Sequence, residues 1–308
     1  MNSKMLIYIL KRFGMALLTI FLVILITFFT MHAVPASPFS SEKAKSDATI
    51  AALEKKYGFD KPVGVQFLNY LGGVARFDFG LSTAWVGNTV FDLIKGGVSY
   101  SATIGFTAAL IAIVLGVALG SIAALRRGGM LDKIIQVVTT ALVSMPSFVM
   151  ATLLLLLFAL KLQWLPSIGS QSGGLILPMV SLCLYPMAYI TRLSRSSMLD
   201  VLSQDYIRTA RSKGISEVRV VVKHALRNAL IPVVTVLGPT IANLLTGSFV
   251  IEKIFAIPGI GKYFVVGVTQ RDYTTIMSMT VFYAAFLISM VFLVDLFYVL
   301  IDPRIRHE

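Results

Sequence analysis

The chain has 308 residues, of which 56% are hydrophobic and only 14% charged, and its mean hydropathy is +0.82. A soluble domain carries about a quarter charged residues, so an ordinary water-soluble globule is excluded. The net charge of +12 would point to nucleic acid in a soluble protein; in a membrane protein, loop topology explains it better and no nucleic-acid partner is expected.

Six stretches lack any Asp, Glu, Lys or Arg: 13–41, 96–125, 134–160, 162–191, 228–251 and 273–294. A helix needs roughly 20 mostly apolar residues to cross the hydrocarbon. A barrel would instead need strands of about ten residues with alternating polarity. Backbone groups inside a bilayer must be satisfied internally. The chain is therefore predicted to be an all-α integral membrane protein with six transmembrane helices. Its predicted organisation is 1–34 for a short N-terminus and helix one, 35–98 for an external segment containing a small helical part, and 99–308 for the membrane-spanning core, with a long cytoplasmic loop at about 193–228.

Helix one is expected over Phe13–Val34. It follows Lys11 and Arg12, and it exceeds the 7–15 residues of a secretory apolar region, so it reads as a retained span. Pro35-Ala36-Ser37-Pro38 ends it. Short helices are expected over Ser46–Tyr57 and Val65–Val74 by apolar spacing. Helix two is expected over Ser101–Leu125. Helix three spans Ile134–Leu160 with Pro146 in its middle, helix four Leu175–Arg192, helix five Ala229–Ile251 with Pro232 and Pro239, and helix six Thr275–Ile301. With the N-terminus in the cytoplasm, 16 of the 27 basic residues but only six of the 15 acidic ones fall inside. That bias places both termini in the cytoplasm of a multi-pass cell-membrane protein.

No G-x-x-x-x-G-K-[ST] loop is present, so the chain does not bind ATP through that device. HExxH, CxxC and G-x-S-x-G are absent too. His32, His224 and His307 are too scattered for a metal site, so neither metal nor catalytic residues are expected. The one cysteine, Cys183, reads as a small apolar residue.

The informative segment runs from Asp205 to Pro232. Asp205–Lys213 has good helix formers, Gly214 offers the left-handed position that ends a helix, and Ser216 can cap the next one. The result is a short basic helix with small residues Thr209, Ala210 and Ser212, shaped to enter a groove of a soluble partner. Taken as charge alone, it is an ordinary positive-inside loop.

The order of its residues resembles the coupling loop of ABC importers that depend on a binding protein. Arg208-Thr209-Ala210 stands where the general pattern has Glu-Ala-Ala, Gly214 matches its glycine, and His224-Ala225-Leu226 precedes Pro232. These departures are like those of the oligopeptide and dipeptide permeases, in their first-type (B) subunit. Phe77-Asp78-Phe79-Gly80-Leu81-Ser82, Pro258-Gly259-Ile260-Gly261, Arg271-Asp272-Tyr273 and Asp302-Pro303-Arg304 are similar to further motifs of that family, and Pro35–Phe39 resembles another with alanine for glycine. The resemblance implies a type I importer permease fold and a complex of five parts. An external binding protein delivers a peptide, two homologous permeases form the path, and two ATPase subunits bind ATP and Mg; this chain carries no cofactor. It further implies that Tyr206, Arg208, Thr209, Ala210, Arg211, Lys213, Gly214 and Ser216 form the ATPase-coupling loop.

A pathway needs small or polar residues facing the bundle interior. Ser144, Met145, Pro146 and Ser147 on helix three and Thr240, Asn243, Thr246 and Ser248 on helix five are the candidates, with helix packing as the competing role. Asp295 is the one acidic residue within a predicted span; it is expected to face the bundle, holding a gate, or else to be a packing carboxylate. A secondary transporter would show repeated halves and several intramembrane charges, and a channel would not need the coupling loop.

Overall fold

The computed structural model describes residues 3–34, 54–55, 58–169, 171–245 and 247–301, without the side chains of 3–6, 294–295 and 297–301. In chain order the helices are α1 (Ser3–Ala33), α2 (Val63–Ala75), α3 (Val90–Leu125), α4 (Met130–Ser144), α5 (Ser147–Leu154, continued by a π-helical stretch Leu155–Lys161), α6 (Ile176–Leu202) and α7 (Asp205–Ser212). There follow α8 (Glu217–Arg219), a π-helical stretch Val220–Ala225, α9 (Leu226–Ala229), α10 (Ile231–Leu245), α11 (Phe249–Ile254), α12 (Ile260–Thr269) and α13 (Tyr273–Ile301). Among the described residues five helices are long and apolar enough to cross a membrane, and six if the bent pair of α4 and α5 is one span.

The chain divides into two compact units. The first comprises 1–101 and 258–308. Here α1 lies along α13, with Phe13 and Phe292 rings 5.9 Å apart. Leu18, Leu22 and Ile26 of α1 remain exposed, as expected of a face that meets lipid. Phe28 is buried and stacks on His32 at 4.0 Å. His32 in turn pairs with Gln66 of α2 at 2.9 Å. Tyr70 of α2 is also drawn in, and burial raises the pKa of its phenol. The helix expected over Val65–Val74 is thus found as α2, whereas the one expected over Ser46–Tyr57 lies almost wholly outside the described residues.

Three of the motifs noted in the sequence meet in this unit. Asp272, wholly buried, caps α13 by accepting from Thr275 N at 3.0 Å. Its other oxygen accepts from Ser82 Oγ at 2.5 Å, Thr83 N and Ala84 N at 3.1 Å, and Thr275 Oγ1 at 2.7 Å. Ile260 N donates to Ser101 Oγ at 3.0 Å. Gly97 lies so close that a Cβ there would stand 2.7 Å from Ile260 N. Phe79, Val90, Leu93, Ile94, Ile260 and Met279 form the core between them.

The second unit comprises 102–257. A close contact joins α3 and α6. Gly116 and Gly120, four apart on α3, put backbone against backbone: a Cβ at Gly120 would stand 2.5 Å from the Thr191 carbonyl oxygen, and one at Gly116 would stand 2.8 Å from Ile190. Small residues at this spacing let membrane helices approach closely; the sequence reading did not single them out. Ala108, Ala112, Cys183, Ile190 and Val233 continue the same seam, so Cys183 is the small apolar packing residue it was read to be.

Helix three departs from its expected course. Met145 is extended (ψ 130°), and α4 and α5 meet at 106°. A proline disfavours the helical conformation at the preceding residue and supplies no N–H, so the helix ends at Ser144 and restarts beyond Pro146. Pro186 and Pro239 stay inside continuous helices. Helix four runs ten residues past its expected end, to Leu202, so the first part of the expected 193–228 loop is helical. The helix begun at Val90 likewise crosses residue 98, where the external segment was expected to end.

Candidate functional site

Two places carry candidate function, both in the unit of residues 102–257. The first is α7 and the turn after it. Ile207 and Ala210 are buried, packed with Ala124, Met198, Val220, Ala225 and Ala229. Tyr206, Arg208, Thr209, Arg211, Ser212 and Lys213 are exposed. The helix is therefore amphipathic, and its basic side is free to meet a partner. Ala210, read from the sequence as part of the small-residue surface, points inward instead, because it shares its face with Ile207 three residues before.

Gly214 has φ +74°, the left-handed conformation expected of it, and its N–H donates to the Arg211 carbonyl at 2.9 Å. Ser216 occupies the cap position of α8 but makes no side-chain cap bond. The segment is held by two polar ties. Arg211 grips Glu217 through both carboxylate oxygens, at 2.6 and 3.1 Å. That pairing lowers the Glu217 pKa and raises that of Arg211, chiefly through the hydrogen bonds. Asn228 Nδ2 donates to Tyr206 Oη at 2.8 Å, tying α7 to α9. Val218 and Val222, 76% and 60% exposed, add an apolar strip beside the basic side. Their four-residue spacing is a helical signal in the sequence, set among the charges of Glu217, Arg219 and Lys223.

The second place is a cavity of about 560 Å³ at the bend between α4 and α5. It gathers Ser144, Met145, Pro146 and Ser147 with Thr240 and Asn243 of α10, as the sequence reading grouped them. Tyr185 and Tyr189 of α6 also line it and were missed. They flank Pro186 one turn apart, a pattern that reads as interfacial aromatics unless the packing partner is known. Among the described residues, no lining side chain is charged. Ser144 and Thr240 donate their hydroxyls to carbonyls four residues back, at 2.8 and 2.7 Å. Ser248 is not on the cavity; its hydroxyl accepts from Ile251 N and caps α11. Thr246 and the side chain of Asp295 lie outside the described residues.

Bundles of this kind are found in membrane permeases. The fold matches that of a methionine ABC transporter in inward-facing form, with a TM-score of 0.53, 18% identity and coverage of 70% of this chain and 97% of that one. An amino acid ABC transporter solved with histidines matches at 0.53 and 16%, covering 67% and 92%. Residues 116–307 match the family described as binding-protein-dependent transport system inner membrane component, and residues 5–84 match that family's N-terminal region. The chain is 49% identical to the dipeptide transport system permease protein DppB of Bacillus subtilis, over 97% of each chain. It is 42% identical to the oligopeptide transport system permease protein OppB of Salmonella typhimurium, over 98% of this chain and all of that one. The chain belongs to the family of inner-membrane components of binding-protein-dependent transport systems. It is a multi-pass permease subunit and not an enzyme.

Proposed function

We propose that this chain is the first-type permease of an ABC importer for peptides, most simply dipeptides or oligopeptides. The observation that carries this reading is the near-complete alignment, at 41–49% identity, with permeases named for those substrates. An external binding protein delivers the peptide, a second homologous permease completes the path, and two ATPase subunits carry ATP and Mg. The neutral cavity at the α4–α5 bend supports a path that tolerates many side chains, because it offers hydroxyls, an amide and aromatic faces but no fixed charge. Selection then falls to the binding protein. The reading is tested with the whole complex in liposomes, using radiolabelled dialanine and trialanine. Uptake should need ATP and the binding protein and should survive collapse of the proton gradient; uptake driven by the gradient without ATP would overturn it.

In this reading the exposed basic side of α7 seats in a groove of an ATPase subunit, with Tyr206, Arg208, Thr209, Arg211, Lys213, Gly214 and Ser216 at the contact and Ala210 supporting it from beneath. Gly214→Leu is the sharpest probe. Among the described residues, nothing beyond its chain neighbours lies within 4 Å of a Cβ placed there, so the intrinsic cost is the left-handed backbone, about 1–2 kcal/mol. Membrane insertion and pairing with the second permease should persist while ATP-driven uptake falls at least roughly tenfold, the equivalent of a similar energy at the contact. Uptake at the wild-type rate in the same liposomes would remove the contact from this face.

Sidedness follows from the charge bias. The termini and α7 face the cytoplasm, and α2 faces outward as part of a cap where the binding protein docks. A cysteine at exposed Asn69 of α2 should react with a membrane-impermeant maleimide in intact cells. Reaction only after the membrane is opened would reverse the orientation.

A further inference from the structure

An ion pair with a buried carboxylate and a half-buried guanidinium joins α4 to α6. Asp132, in the first turn of α4, is 1% exposed. Its carboxylate accepts from Arg195 Nε at 2.6 Å and Arg195 Nη2 at 2.8 Å, and from Gly128 N and Gln136 Nε2 at 2.9 Å each. Arg195 sits on α6, 63 residues away in sequence. A bidentate fork of this kind sets both the separation and the relative rotation of the two helices, which a single-point contact does not. A buried pair is often no more stabilising than an apolar pair of similar volume. Fixed geometry is the better reason for keeping one here.

Its position in the fold gives that geometry a use. From Arg195, α6 continues for seven residues to Leu202, and α7 begins at Asp205. At about 1.5 Å per residue the pair stands on the order of 10 Å from the coupling segment. In the other direction, α4 runs twelve residues from Asp132 to Ser144, about 18 Å, and ends at the bend that lines the cavity. The part of α6 that precedes Arg195 carries Tyr189 and Tyr185 to that cavity. The back of α6 is already closed against α3, where Gly120 stands beside Thr191, Ser194 and Arg195. One junction therefore locks α4 to the helix that leads into α7, at a point between α7 and the cavity.

We propose that Asp132 and Arg195 are positioning residues for transport: their ion pair is the strut that makes α4 move with α6, so that a displacement of α7 reaches the bend at Met145-Pro146 instead of being lost as slippage between the helices. The proposal rests on the reading of α7 as the ATPase contact. It predicts a loss of coupling rather than of assembly. D132N keeps the shape of the carboxylate without its charge, and R195K keeps the charge without the fork.

The experiment uses the complete transporter in liposomes, measuring ATP hydrolysis and trialanine or dialanine uptake on the same vesicles. D132N and R195K should assemble and still hydrolyse ATP, while peptide imported per ATP falls roughly tenfold. Q136L removes one hydrogen bond and leaves the fork intact, so it should hold the wild-type ratio. Equal falls in hydrolysis and uptake, with the ratio unchanged, would overturn the strut, as would failure of both D132N and R195K to assemble. A crosslink from Arg208→Cys to the ATPase subunit separates the two claims. If it forms in both backgrounds while the ratio is unchanged in D132N, the strut alone fails. If it does not form in the otherwise wild-type complex, the coupling reading fails and the strut with it.

Discussion

Gly120→Leu is expected to prevent α3 and α6 from closing and to abolish accumulation of folded permease. The added Cβ alone would lie 2.5 Å from the Thr191 carbonyl oxygen and 2.6 Å from Ser194 Cβ. Neither obstacle is the loose end of a flexible side chain, so no rotamer relieves the clash and the helices must separate. Separation forfeits the packing that holds the two helices together. Lipid tails are as apolar as leucine, so membrane helices associate through close packing and not through expulsion of water. Gly120→Ala, which adds the Cβ and nothing more, should cost about 3 kcal/mol, the upper end for overpacking. Gly14→Leu is the control: among the described residues nothing lies within 4 Å of a Cβ there, and stability should not change. Yield in the membrane fraction and the unfolding midpoint of purified protein in detergent distinguish the three. Wild-type stability of Gly120→Ala would mean that the α3–α6 seam yields freely.

The second large effect is expected at Asp272. Asp272→Ala removes an acceptor that satisfies three backbone N–H groups and two hydroxyls. Hydrogen bonds to a charged group contribute about 1.5–3 kcal/mol each, and stranded donors cost as well. The 82–84 turn can loosen and recover part of this, so the net loss should be on the order of 3–5 kcal/mol. Asp272→Asn should lose less. Four of the five donors converge on one carboxylate oxygen, and an amide oxygen can take that place. The amide nitrogen would then face Thr275 N, and that one bond becomes a donor–donor contact. The unfolding midpoint should fall in the order wild type, Asp272→Asn, Asp272→Ala. Freed residues near Ser82 should also become a site of protease cleavage in the Asp272→Ala protein. Equal stability of all three would show that the cap is held by its apolar core of Phe79, Ile94 and Met279 alone.

Much of this was legible in the sequence because it is local. Charge-free length marks the spans, since hydrocarbon excludes charge whatever the neighbours are. Gly214 announces its left-handed turn, because a Cβ is penalised there in any context. The segment proposed as the ATPase contact is marked by the order of its residues. The helix over 90–98 was legible too, since Val90, Leu93 and Ile94 recur at helical spacing. The charges of Asp92 and Lys95 masked it, because amphipathic helices carry charge on one side.

What the tertiary structure decided has a common physical cause: it depends on which distant group arrives opposite. Pro146 tells the chain to leave the helix, but the 106° turn was set by how α5 packs against α6 and α11. Pro186 and Pro239 carry the same local instruction and stay helical, held in continuous packing. Ala210 looked like surface until Ile207 took the buried face beside it. Ser82 and Asp272 were each visible as parts of motifs 190 residues apart, yet only folding made one the ligand of the other. Asp132 and Arg195 read as two more charges near the ends of spans. Their fork exists because Gly116 and Gly120 let α3 and α6 touch and the 126–129 turn sends α4 back alongside. Period and propensity act along the chain, and partner choice acts across it.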